Sequence, residues 1–283
     1  MKFFIPILIF FSSVYTNQIS FSSDGNLEKL SLMNSRSYID NILSYQKNSI
    51  NFSFIQYPEE VQINQASYTT SINSYTIQSR FLLLNWGTLQ ATKDNGDVIE
   101  FEPSEKLIEL SILKELSNEL FFGTSIKYLS SNIDLYNSKY LVQDIGVSKI
   151  LFNNRFQIGF SIENIMHKIK KYSNINDIYN YQTNIGFSYY PSHTDGGLYI
   201  NYITKKNAST EIIIGVKNKI KNHFNLYFGK SFYLKNLSLG YSIYDNFSLG
   251  IDIMRSKYKV NMGIQYLGDM GIILGSSISI LIK

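Results

Sequence analysis

The sequence predicts an all-β protein, a transmembrane antiparallel β-barrel of about 14 strands with a short helical or irregular N-terminal hatch. A short apolar run opens the chain, and from about residue 50 apolar residues recur at every second position in short segments. No apolar stretch approaches the roughly 20 residues that a membrane-spanning helix needs. Alternating segments in an exported chain are typical of outer-membrane barrels, so we expect an integral protein of the bacterial outer membrane.

Residues 1–20 are predicted to be a signal peptide. Lys2 precedes the apolar residues 3–11, and small polar residues such as Ser12 and Ser13 follow them. This order of a charged, an apolar and a polar region is typical of secretory signals. The apolar run is also too short to span a bilayer as a helix.

Residues 21–48 do not alternate and are interpreted as an N-terminal hatch that packs in or under the barrel. Asp24-Gly25-Asn26 is suited to start a helix, with Leu27 and Leu30 on its apolar side. A disordered leader is the alternative interpretation of the same segment.

Residues 49–283 are predicted to form the barrel, because their short segments separate an apolar face from a polar face. The clearest segments are 120–129, 156–163 and 258–266. We expect six side chains of the first two to touch lipid: Leu120, Phe122, Ile126, Phe156, Ile158 and Phe160. We expect four polar side chains to face the lumen: Lys127, Asp144, Gln157 and Glu163.

A soluble β-sandwich would alternate as well, so the membrane assignment depends on two further observations. The apolar faces often end in tyrosine, as an aromatic girdle does: Tyr128, Tyr189, Tyr241, Tyr258 and Tyr266. The polar faces carry mostly Gly, Ser, Asn and Gln, which fits a barrel lumen. A general compositional bias would also raise the tyrosine content. Longer connections are expected at 131–139 and 166–180.

Lys127 and Asp144 are the candidate lumen pair. Both are expected to point inward from neighbouring strands, and buried charges are costly unless they are paired or wet. Either they form a salt bridge, or each faces lumen water.

No arrangement of residues indicates catalysis, a metal or a cofactor. The chain has no cysteine, which excludes disulfides and thiol chemistry. The three histidines show no metal-ligand spacing, and the carboxylates Glu59-Glu60 and Glu102, Glu105 and Glu109 are expected to be solvated. A net charge of +4 without a dense basic cluster gives no reason to expect nucleic-acid binding. We therefore do not expect an enzyme.

Residues 80–172 carry a series of short motifs in a fixed order. The first is Asn85-Trp86-Gly87-Thr88, and a candidate hairpin turn follows at Asn95-Gly96. The longest is the heptapeptide 122–128, and a Gly-x-x-x-x-Asn step spans 159–164. The motif positions are Gly87, Thr88, Asn95, Gly96, Phe101, Gly123, Lys127, Tyr128, Tyr136, Asp144, Gly146, Gly159, Asn164 and Tyr172.

In their order and spacing these motifs resemble the PorQ family of the type IX secretion system, which is related to PorV and to FadL-like barrels. The resemblance covers about a third of the chain. It implies a 14-stranded, non-enzymatic barrel that needs no cofactor. It also implies a place in a cell-surface attachment complex with PorU-, PorV- and PorZ-like partners, in which the barrel anchors the PorZ-like protein and secreted cargo is coupled to anionic lipopolysaccharide.

Three functions therefore stay open at this point. The first is the attachment-complex scaffold that the resemblance implies. The second is a FadL-like passive channel for hydrophobic solutes, which would need an apolar path through the lumen. The third is a barrel with another role, such as a shuttle or an adhesin.

Overall fold

The computed structural model of the chain is a closed antiparallel barrel of 14 strands, with a separate two-stranded sheet at one end. It describes residues 48–92, 97–117, 119–153, 155–170, 181–194, 196–205, 210–221, 223–233, 246–268 and 271–282. The strands are β1 (Ser49–Gln56), β2 (Gln62–Ile72), β3 (Tyr75–Asn85), β4 (Leu89–Thr92), β5 (Val98–Phe101), β6 (Ser104–Ser117), β7 (Leu120–Ile133), β8 (Tyr136–Leu151), β9 (Phe156–Lys170), β10 (Gln182–Tyr189), β11 (Gly196–Lys205), β12 (Glu211–Lys221), β13 (Phe224–Tyr233), β14 (Phe247–Arg255), β15 (Tyr258–Tyr266) and β16 (Ile272–Leu281).

The barrel closes where β1 pairs with both β2 and β16. Every other barrel strand pairs with its neighbours along the chain, except that β3 pairs directly with β6 because β4 and β5 form the separate sheet. The predicted fold class and strand number are therefore confirmed. The predicted signal peptide, and all of the 21–48 segment except residue 48, lie outside the described residues.

Strict alternation explains why these segments form membrane strands. On β7, the side chain of Ile126 is 51% exposed while that of Lys127 is 2% exposed. The six side chains predicted to touch lipid all lie on the outer face, and the four predicted lumen side chains lie on the inner face. On β6, the outward positions between Lys106 and Lys114 are all apolar. The stretch from Lys106 to Lys114 is nine residues long, which matches the roughly 9–11 residues that a tilted strand needs to cross a bilayer.

Tyrosines border this apolar band at both ends. Tyr128 and Tyr266 lie toward one end of the barrel, and Tyr189 and Tyr258 toward the other, all facing outward. Tyr241 lies outside the described residues. The exposed apolar area on this continuous outer surface is far larger than the apolar patches that soluble monomers expose. The chain is therefore an integral outer-membrane barrel, and the soluble alternative is wrong. Within the described chain, no helix is long and apolar enough to cross a membrane.

The two ends of the barrel differ in the length of their connections. At one end, β2–β3, β6–β7, β12–β13 and β14–β15 are each joined by two residues. At the other end, the connections include 86–103, 171–181 and 234–246. Short turns face the periplasm and long loops face outward in this class of protein, so the second end is the extracellular one.

The longer connection predicted at 131–139 is wrong. β7 continues to Ile133 and β8 begins at Tyr136, so only Asp134 and Leu135 join them. The polar residues 130–132 belong to the part of β7 that extends beyond the apolar band. There the strand can pair with β8 without placing polar side chains in contact with lipid. Of the connection predicted at 166–180, residues 166–170 belong to β9 and 171–180 lie outside the described residues.

Candidate functional site: the barrel lumen and its extracellular end

The structure brings the candidate lumen pair together near the middle of the barrel. Lys127 Nζ lies 2.5 Å from Asp144 Oδ2, and the two side chains are 2% and 0% exposed. β7 and β8 pair so that Ser125 is opposite Asp144, and Ser125 Oγ donates a hydrogen bond of 3.1 Å to the same carboxylate oxygen. The pair is therefore a buried salt bridge and not two separately hydrated charges.

The charged row continues from Lys127 toward β3. Glu109 on β6 lies opposite both Lys127 on β7 and Arg80 on β3. Arg80 forms an ion pair with Glu109, and Ser111 Oγ donates a hydrogen bond of 2.6 Å to Glu109 Oε1. The expectation that Glu105 and Glu109 are solvated is wrong, because both are buried on the inner face of β6. Glu59, Glu60 and Glu102 are exposed as expected.

The same row extends across β9 to β10 through a β-bulge. Asp144 lies opposite both Glu163 and Asn164, so the register shifts by one residue there, and Asn164 adopts a φ of 59°. Asp144 Oδ1 accepts a hydrogen bond of 2.9 Å from the Asn164 backbone N–H. Glu163 accepts hydrogen bonds from Ser161, from Gln182 Nε2 at 3.3 Å and from Asn184 Nδ2 at 2.9 Å. We call Arg80, Glu109, Lys127, Asp144 and Glu163 the charged row.

A second polar network lies on the opposite wall, nearer the periplasm. Asp252 on β14 accepts a hydrogen bond of 2.6 Å from Asn225 Nδ2 and another from the hydroxyl of Tyr227. Lys259 Nζ lies 3.1 Å from the same carboxylate. The Lys217 ammonium stands over the Tyr227 ring, 5.4 Å from its centroid. One carboxylate therefore fixes side chains from β13 and β15.

Inward polar side chains that are almost inaccessible to solvent occur around the whole ring. They include Asn51, Gln78, Ser111, Asp144, Ser161, Asn184, Asn201, Asp252 and Asn261. In a wide water-filled pore such side chains would contact water. The charged row and the Asp252 network instead bond to protein groups. We therefore expect the lumen to be closed to solvent at their level.

An apolar cluster occupies the extracellular end of the lumen. Its buried members are Ile55, Tyr57, Ile63, Leu82, Leu84, Leu107, Leu129 and Ile273. Trp86 packs against this cluster at the start of the 86–103 connection. The predicted inward faces are mostly polar, so this cluster differs from the prediction. The leucine run 82–84 indicates it in the sequence, since it makes both faces of β3 apolar.

The separate sheet is a hairpin at the extracellular end. In the pairing of β4 with β5, Leu89 lies opposite Phe101 and Thr92 lies opposite Val98. Gln90 Nε2 donates a hydrogen bond of 2.9 Å to Glu100 Oε1. Gly87, which precedes the hairpin, has a φ of +75°, and a Cβ there would lie 3.1 Å from the Glu59 carbonyl oxygen. Only glycine suits this position, because the left-handed backbone and the close contact both penalise a side chain.

The remaining family-motif positions are spread over the barrel wall and do not form one site. Gly123 and Gly146 lie opposite each other on the inner faces of β7 and β8, and Gly159 faces inward from β9. Tyr136 begins β8, Thr88 precedes the hairpin, and Phe101 is the last residue of β5. Asn95, Gly96 and Tyr172 lie outside the described residues.

No metal centre is assembled by the described residues: no three of their His, Asp and Glu side chains are grouped to hold an ion. His167, His193 and His223 are all exposed and lie on different connections or strands.

Comparisons with known proteins give a fold and no family. No protein-family model and no curated protein matches the chain. A crystal structure of the Pseudomonas putida toluene transporter TodX superposes with a TM-score of 0.59 at 10% identity, covering 85% of this chain and 89% of that one. A second TodX structure gives 0.57 at 10% identity, covering 88% and 93%. A TodX deltaS2 mutant, described as a monoaromatic hydrocarbon channel, gives 0.56 at 9% identity, covering 86% and 91%. At these identities the likeness shows a shared outer-membrane barrel fold alone, and the PorQ resemblance stays a prediction.

Proposed function

We propose that this barrel is a non-enzymatic scaffold of the type IX secretion system that anchors a cell-surface attachment complex for secreted cargo. One observation carries the scaffold part of this proposal. The charged row crosses five successive barrel strands, β3 and β6 to β9, inside the lumen. Ion pairs join β3 to β6 and β7 to β8, a hydrogen bond joins β8 to β9, and Glu109 on β6 lies opposite Lys127 on β7. Such a row stiffens the wall and provides no apolar path at its level. The assignment to type IX secretion comes from the motifs in residues 80–172.

Partner recognition is assigned to the extracellular connections, because binding residues concentrate on loops that a rigid scaffold positions. The β4–β5 hairpin is the most prominent described element there, and Val98 is 60% exposed on it. The 131–139 segment, predicted as a longer connection, is strand with a two-residue turn, so the hairpin is the docking element that we propose. PorZ-, PorU- and PorV-like proteins are the partners that the resemblance implies.

A passive channel for hydrophobic solutes is the second candidate. The apolar cluster at the extracellular end of the lumen favours it, because clustered apolar side chains can bind an apolar solute. The solute would next meet the charged row, where the buried ionic groups would have to move apart. This arrangement favours the scaffold over the channel.

Tagging the protein in its native host and purifying it after gentle solubilisation tests the scaffold. We expect a PorZ- or PorU-like protein to co-purify, and a variant with residues 89–101 replaced by a short Gly-Ser linker to lose it. Replacing the periplasmic turn residues Ser256 and Lys257 by glycine is the matched control and should retain the partner. If deletion of the gene leaves secreted cargo mature and surface-attached while uptake of fatty acids falls, the channel is the better explanation.

A further inference from the structure

Three lysines form a row on the outer surface of the barrel near its extracellular end. Lys106 on β6 is in register with Ser130 on β7, Ser130 with Lys139 on β8, and Lys139 with Lys170 on β9. Adjacent strands are about 4.8 Å apart, so the three backbone positions fall within about 15 Å along the row. We call Lys106, Lys139 and Lys170 the lysine row.

The lysine row faces the membrane and not the lumen. Lys106 shares its face of β6 with the exposed Ile108 and Leu110, and Lys139 shares its face of β8 with the exposed Ile145. A second register shift, between Lys139 and Tyr140, places both Ile169 and Lys170 opposite Lys139, and Lys170 is exposed there at the end of β9. Each lysine lies within three residues of the extracellular end of its strand.

The next outward-facing residues toward the middle of the membrane form the edge of the apolar band. There Tyr128 of the aromatic girdle is in register with Ile108 on one side and Leu141 on the other. Lysines just beyond a tyrosine girdle lay their aliphatic stems along apolar surface and extend the ammonium into the lipid head groups.

The charge of the row is not neutralised within the described part of the chain, where none of the three lysines has an ion pair or hydrogen bond. Glu105 and Glu109, the acids nearest to Lys106 in sequence, are buried on the inner face of β6. Glu102 and Asp134 are exposed beyond the strand ends. On the described outer face at this end, β10 to β16 add a single lysine, Lys230. The positive charge is therefore concentrated on β6 to β9.

We infer that the lysine row binds the phosphate groups of an anionic lipid in the outer leaflet. Several phosphates on one lipid, held at head-group depth, match several ammonium groups held at that depth by a rigid sheet. A lipid also brings acyl chains that cover Ile108, Leu110 and Ile126 below the row, which a free anion cannot do. This inference does not depend on the proposed scaffold function.

Binding of bis-phosphorylated lipid A to the purified full-length barrel in neutral detergent, followed by native mass spectrometry, tests the inference. The variant K106Q/K139Q/K170Q should bind at least about tenfold more weakly than the wild type, because each lysine near an anionic lipid surface adds to the attraction. The control K114Q/K149Q/K257Q removes three lysines from the periplasmic end and should bind within about twofold of the wild type. A heat-dependent shift in gel mobility shows that each variant is folded.

Two further ligands test whether the row recognises phosphate groups carried by a lipid or free phosphate ions. Lipid A stripped of its phosphates should bind the wild type as weakly as the intact lipid binds the lysine-row variant. Inorganic phosphate at millimolar concentration should not displace the lipid. Equal binding by the wild type and the lysine-row variant, equal loss in the control, or displacement by inorganic phosphate would each overturn the inference.

Discussion

Replacing Lys127 by methionine is expected to destabilise the barrel by about 3–5 kcal/mol, the usual cost of removing one partner from a buried ion pair. The Asp144 carboxyl would be left without its ion partner in a site that is 0% exposed, and Glu109 would lose its neighbour on β7. Water cannot easily compensate, because the surrounding inward side chains are also buried.

The double variant K127M/D144N should recover more than half of that loss. Asparagine keeps the oxygen that accepts the Asn164 backbone N–H, so the β-bulge is preserved while the unpaired charge is removed. Lys149→Met is the matched control, because Lys149 is exposed on the outer face near the periplasmic end of β8. Urea unfolding in lipid vesicles, followed by fluorescence of the single tryptophan, Trp86, gives the free energies. A loss below about 1 kcal/mol for Lys127→Met would mean that the pair is hydrated and contributes only as a surface pair does.

Arginine at Phe160 is expected to cost roughly 2–4 kcal/mol, whereas arginine at Gln157 should cost little. Phe160 is 43% exposed on the outer face of β9, in register with Val147 and Ile185. An arginine there would place a guanidinium among lipid chains. Gln157 faces the lumen near the periplasmic turn, where its Nε2 donates a hydrogen bond of 3.2 Å to Ser148 Oγ. The same urea titration measures both variants, and equal losses at the two sites would show that the facing of β9 is assigned wrongly.

Alternation in the sequence was sufficient to predict the fold and the facing of most strands. A side chain's parity depends only on its own strand, so Ile126 and Lys127 could be assigned to opposite faces without knowing their neighbours. The same argument, applied to β6, would have placed Glu105 and Glu109 in the lumen, since they alternate with Ile108 and Leu110. The prediction that these two glutamates are solvated is wrong because it takes no account of this alternation.

Contacts between strands were harder to predict, because they depend on register. Arg80 and Glu109 are separated by the whole 86–103 connection, and nothing local shows that β3 pairs with β6. The bulge at Asn164 also reverses the parity of β9, so that His167 and Ile169 face outward after it. Asparagine tolerates a positive φ, but that tolerance does not reveal which strand position carries the extra residue.

The limits of the apolar band could not be predicted from polarity alone. Ser130, Ser131 and Asn132 have the composition of a loop, yet they pair with β8 up to the turn at Asp134. In a membrane barrel a strand can continue into water beyond the lipid, and there its outward side chains become polar. The lysine row lies at this transition.

Ion conductance across a planar bilayer distinguishes a lumen closed by bonded polar side chains from an aqueous channel. The purified wild-type barrel, inserted in a bilayer and verified by its heat-dependent mobility, should pass no steady current above that of the protein-free membrane. Steady, porin-like currents from the wild type would contradict a lumen sealed by the charged row and the Asp252 network.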